Sequence, residues 1–127
     1  MSDMRTPMSR VRGLGSAKSG SGHFIAQRAT AVALVPLSLF LFALLVALTG
    51  ADWQTAHDAL TNPVVGVLLL MFIGVGVVHM RLGMQVVIED YVTSHGTRLL
   101  ALLANTFFSI LVGLTCAYAV LKIGFGS

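Results

Sequence analysis

Three long apolar runs, at about residues 24–49, 63–91 and 97–123, decide what this chain can fold into. A hydrocarbon core ~30 Å thick takes ~20 helical residues to cross, and each run reaches that length. The bilayer interior offers no water to backbone N–H and C=O groups, so a spanning segment satisfies them internally as a helix. Arg28 stands near the start of the first run and Pro36 lies inside it, which predicts a local kink. Asn62-Pro63 supplies a start signal for the second run, and the third closes on Gly124-Phe125-Gly126-Ser127. The expected fold class is all-α, with three transmembrane helices. Residues 1–22 read as a cytoplasmic tail and residues 23–127 as a three-span membrane domain.

Composition agrees with that class. The chain has 127 residues, 56% hydrophobic and 10% charged, against roughly 25% charged in ordinary soluble domains. A chain this short and apolar cannot cover its hydrophobic surface with itself, so lipid is an expected partner. The net charge of +3 is concentrated at one end, with Arg5, Arg10, Arg12, Lys18 and Arg28 among its cations. No aromatic interleaving or nucleic-acid fold signature accompanies them, so they read as a topology signal and nucleic acid is not an expected partner. Gly50 to Asn62 carries Asp52 and Asp58 but no Lys or Arg, whereas Arg98 follows the short link at Thr93 to Gly96. The positive-inside rule then places the N-terminus in the cytoplasm, the acidic loop outside and the C-terminus outside. The tail is rich in Ser, Gly and Arg like an organelle transit peptide, but lacks its apolar face. A bacterial inner membrane is therefore expected ahead of a mitochondrial one. Cys116 can form no disulfide within the chain and reads as a small buried hydrophobe.

The second run holds the polar residues that carry chemistry. His79 lies at membrane depth, where an ionisable side chain is costly and usually has a partner or a task. Asp90 follows eleven residues later, ~16 Å along a helix and within ~20° of the same direction. Gly76 and Gly83 flank His79, leaving a flat recess that suits a planar macrocycle ligated by a neutral imidazole. The same glycines read equally as close helix packing, and the histidine as a hydrogen-bond partner of a neighbouring carbonyl. Arg81, ~200° around from His79, points away from that face and calls for a chain covering it. Asp90 and Tyr91 read either as ordinary interfacial residues or as a pair at which a tyrosine hydroxyl binds a quinone carbonyl beside a proton-relaying carboxylate. Arg28 reads either as an anchoring charge or as a partner for haem propionates.

The stretch His79-Met80-Arg81-Leu82-Gly83-Met84-Gln85-Val86-Val87-Ile88-Glu89-Asp90-Tyr91 resembles the signature of the succinate dehydrogenase hydrophobic membrane anchor subunits, H-x-x-x-G-x-x-x-x-x-x-D-Y. Phe24-Ile25-Ala26-Gln27-Arg28-Ala29-Thr30-Ala31-Val32 is similar to that family's entry into the first span. The resemblance covers about Gly22 to the C-terminus. It implies half of a heterodimeric transmembrane helix bundle, paired with a second, C-type membrane anchor and holding an iron–sulfur subunit and a flavoprotein subunit. Electrons from succinate would pass through FAD and iron–sulfur clusters, both in other subunits, to ubiquinone. His79 would be one axial ligand of haem b, bound to its iron, with the second ligand on the partner anchor. Tyr91 would hydrogen-bond the quinone, Asp90 would sit beside it, and Arg28 would lie near the propionates or the quinone pocket. His23 is given no role. A fumarate reductase-type anchor, or a small transporter or assembly protein with a His79–Arg81–Asp90 proton relay, are the alternatives. No residue pattern here binds a flavin or a dicarboxylate, so no succinate-oxidising site is expected in this chain.

Overall fold

The computed structural model describes residues 6–11 and 20–126. The tail cations Arg5, Arg12 and Lys18 lie outside the described residues. Five helices follow one another: α1 (Pro7–Val11), α2 (Gly20–Ala47), α3 (Trp53–Thr61), α4 (Pro63–Tyr91) and α5 (His95–Phe125). The fold is all-α, and α2, α4 and α5 are long and apolar enough to cross a membrane. Helix α2 continues through Pro36, whose ring removes one backbone donor.

Local chemistry sets the helix ends. Asn62 caps α4, its side chain accepting from Val64 N at 2.9 Å, and Pro63 occupies the first turn where its missing N–H costs nothing. At the other end, Arg98 Nε donates to the Val92 carbonyl at 2.8 Å and ties the turn between α4 and α5. The Gly50 to Asn62 connection, expected as an acidic loop, folds into helix α3. Gly50 adopts φ 77°, a left-handed turn that glycine enters without strain. Asp52 then caps α3 by accepting from Thr55 N at 3.0 Å. Thr55, through its hydroxyl and then its backbone N–H, holds the exposed Asp52 carboxyl below its ordinary pKa of 3.8.

The three long helices form a layer rather than a closed bundle. Helix α4 packs against α2 on one side and α5 on the other, α3 rests against α4 and α5, and α2 and α5 do not meet. Consequently the interior is minimal. Among the described residues Leu37 and Ile88 are the buried hydrophobic side chains, and Ser109, at 1% exposure, is the fully buried one. Ser109 Oγ satisfies itself on the Asn105 carbonyl one turn earlier, at 2.7 Å. Asn105 Nδ2 in turn donates to the Arg81 carbonyl at 3.0 Å, a bond from α5 to α4. At the same seam Gly113 lets α5 approach Val77 closely. Cys116, expected as a buried hydrophobe, is exposed on α5 because no further helix covers that face.

Candidate functional site

The polar residues of the α2–α4 seam make two contacts of interest. Near the start of α2, His23 Nε2 lies 3.0 Å from Gln85 Oε1, and Gln85 Nε2 donates to Glu89 Oε1 at 2.8 Å. The amide therefore spends its donor on the carboxylate and accepts from the His23 ring N–H. Deeper along the same seam, Thr30 Oγ1 lies 3.0 Å from His79 Nδ1. His79 is half-buried, and its Nε2 has no hydrogen-bond partner among the described residues.

His79 also lines an open cleft of about 530 Å³, whose other walls are Ala31, Leu34, Val35, Ser38, Leu39 and Phe42 of α2. The α2 residues from Ala31 to Phe42 extend ~16 Å along the helix, and all but Ser38 are apolar. Arg28 precedes Val35 by seven residues and Leu39 by eleven, spacings that return to within ~20° of one direction. It therefore stands on the cleft side of α2, at the end nearer its N-terminus, with its guanidinium 5.2 Å from the Phe24 ring centroid.

Gly76 and Gly83 do not form the open recess expected of them. A Cβ at Gly76 would meet Leu34 Cδ2 at 3.9 Å, and one at Gly83 would meet Gln27 Nε2 at 3.3 Å. Gly83 serves close approach of α2 to α4, a Cβ at Gly76 would be in ordinary contact with Leu34, and the open space beside His79 lies along α2 instead. Gln27 is wedged against Gly83, away from that space, with its Oε1 buried and unpartnered among the described residues.

Asp90 and Tyr91 end α4 in exposed positions, Tyr91 at 81%. No hydrogen bond joins either of them to His79 among the described residues, and none links His79, Arg81 and Asp90 into a relay. Arg81 is exposed and forms no ion pair among the described residues. The residue that sequence reading missed is Thr30. Its signal depends on the pairing of α2 with α4: Thr30 lies ten residues into α2 and His79 twelve residues before the end of α4, both counted from the same end of the layer. A hydroxyl and an imidazole at matching depth in neighbouring apolar helices have few partners other than each other.

Fold and site together define a three-span helical membrane protein with an imidazole open on an apolar cleft. The family of succinate dehydrogenase/fumarate reductase transmembrane subunits matches residues 2–113. A succinate dehydrogenase hydrophobic membrane anchor subunit of Rickettsia bellii is 38% identical over 109 residues, covering 86% of this chain and 87% of the relative. Its counterpart from Paracoccus denitrificans is 30% identical over 122 residues, covering 96% and 94%. No solved structure matches the chain at a significant level. The chain belongs to the succinate dehydrogenase membrane anchor subunits, as a multi-pass protein of a bacterial membrane.

Proposed function

We propose that this membrane anchor co-ligates haem b through His79 and contributes Tyr91 and Asp90 to a ubiquinone-reduction site, while holding the iron–sulfur and flavoprotein subunits at the membrane. The observation that carries the reading is His79 itself, an imidazole on an apolar cleft with Nδ1 engaged and Nε2 free. That donor set suits a b-type haem, for which a neutral imidazole is an axial ligand and apolar walls exclude water. Arg28, on the cleft side of α2, supplies a cation for the propionates. Among the described residues His79 is the one imidazole on this cleft, so a second haem ligand would have to come from a C-type partner anchor. Such a haem would supply one-electron exchange at its iron. The relatives' names favour operation on succinate over the fumarate reductase direction. The surplus of cations before the first span favours a cytoplasmic N-terminus, and with it a cytoplasmic Tyr91 end of α4. There Asp90 can pass protons to a quinone held by the Tyr91 hydroxyl.

The test is the complex purified from membranes. His79→Ala abolishes the haem b α-band in a reduced-minus-oxidised spectrum; a band of wild-type amplitude would sink the ligand assignment. Tyr91→Phe lowers ubiquinone reduction while succinate oxidation by an artificial dye is unchanged. Equal loss of both activities would refute a local quinone role.

A further inference from the structure

We propose that Thr30 sets the tautomer of His79 and so decides which ring nitrogen is offered to iron; this rests on the haem-ligand reading above. The Thr30 hydroxyl has one proton and three neighbours. Oγ1 lies 2.8 Å from the Ala26 carbonyl, 3.0 Å from the Gln27 carbonyl and 3.0 Å from His79 Nδ1. The two carbonyls are acceptors only. Were the hydroxyl proton given to Nδ1, both carbonyl oxygens would face a lone pair at hydrogen-bond distance. The arrangement in which no acceptor faces an acceptor sends the hydroxyl proton to the carbonyls of its own helix. The hydroxyl oxygen then accepts from His79 Nδ1–H.

That choice has a chemical consequence. A neutral imidazole protonated at Nδ1 presents its lone pair at Nε2, the nitrogen without a partner, on a ring that lines the cleft. The opposite tautomer would carry a hydrogen at Nε2 and could not ligate. Accepting from Nδ1–H also makes the imidazole a stronger donor, as metal-bound histidines are tuned by their outer hydrogen bond. Thr30 touches neither iron nor substrate and is a positioning residue. The i−4 carbonyl bond that membrane-helix threonines commonly make is what frees its lone pair for the neighbouring helix.

The experiment compares Thr30→Val, Thr30→Ser and His79→Ala in the purified complex. Its readouts are haem content, haem midpoint potential and the electron paramagnetic resonance spectrum of the ferric haem. Thr30→Val keeps the shape and removes the acceptor. It weakens haem retention by about 10–100-fold, the usual cost of losing an outer-sphere partner. It also raises the midpoint potential, because a less basic imidazole stabilises ferric iron less. Thr30→Ser restores both. If the valine complex does not assemble, Thr30→Ala, which adds no bulk, carries the same comparison. Wild-type potential and spectrum in Thr30→Val, with haem lost in His79→Ala, would overturn the role of Thr30 alone. Haem retained in His79→Ala would overturn the ligand reading beneath it.

Discussion

Gly113→Ala tests whether the α4–α5 seam is as close as its geometry states. A Cβ at this position would sit 3.3 Å from Val77 Cγ2, 3.5 Å from Cγ1 and 3.8 Å from Cβ. Val77 is β-branched and a helix holds it to one strongly preferred χ1 well, so swinging a methyl out of the contact is itself costly. Relief otherwise requires the helices to part. Overpacking of this kind costs ~1–3 kcal/mol. Alanine returns ~0.5–1 kcal/mol over glycine in a helix interior, leaving a net loss of ~1 kcal/mol at mid-range and up to ~2.5. Gly74 on α4 is the internal control. A Cβ there meets nothing within 4 Å, so Gly74→Ala gains ~0.5–1 kcal/mol and moves stability the other way. The two variants are separated by ~2 kcal/mol, about thirtyfold in the unfolding equilibrium. Titration with a denaturing detergent, followed by circular dichroism and by the single tryptophan, Trp53, reads that gap. Trp53 belongs to α3, which rests on both α4 and α5 and separates when they do. Val77→Ala in the Gly113→Ala background recovers part of the loss, a coupling that only a direct contact produces. A Gly113→Ala midpoint at or above wild type, or strict additivity of the pair, would refute the close-approach account.

Two further outcomes follow from contacts elsewhere in the layer. Asn105→Leu removes the amide that donates to the Arg81 carbonyl and lowers stability by ~0.6 kcal/mol, with ~1.7 as a ceiling, in the same titration. Asp52→Ala uncaps α3 and speeds hydrogen exchange at the Thr55 amide. In the wild type, the folded-state pKa of Asp52 is depressed, so its stabilising contribution is present above pH 3.8 and is lost as pH falls through the lower folded value. A protection factor at Thr55, taken relative to the intrinsic exchange rate at each pH, that does not fall across that window would count against the cap.

Much of the framework was legible because a bilayer leaves a chain few options. Long unalternating apolar runs must be helices, and Asn62-Pro63 stands where α4 begins. The contents of the connections were less legible. Residues 50–62 look like a loop to a charge count, yet Asp52 supplies a cap, and a nine-residue helix forms from it. Helix phase placed His79 on a face but could not say which neighbour fills the space beside it. Gly76 and Gly83 turned out to admit Leu34 and Gln27, and the cleft opened along α2. Thr30 was hidden for a different reason. A threonine in an apolar helix is an ordinary residue until the pairing of helices is known, since its partner lies 49 positions away in the chain.

A layer one helix thick has two faces and very little inside, and that shapes how such a protein must live before assembly. The cleft beside His79 is open along α2 at mid-span, so in a bilayer, before any partner arrives, acyl chains would fill it. Anything that later takes that place competes with lipid already in residence, and capture there is an exchange of occupants in the plane of the membrane. Apolar walls alone gain little in such a competition, because acyl chains are as apolar as any ligand. On the haem-binding reading proposed above, the imidazole of His79 and the nearby guanidinium of Arg28 would give the cleft its means of choosing.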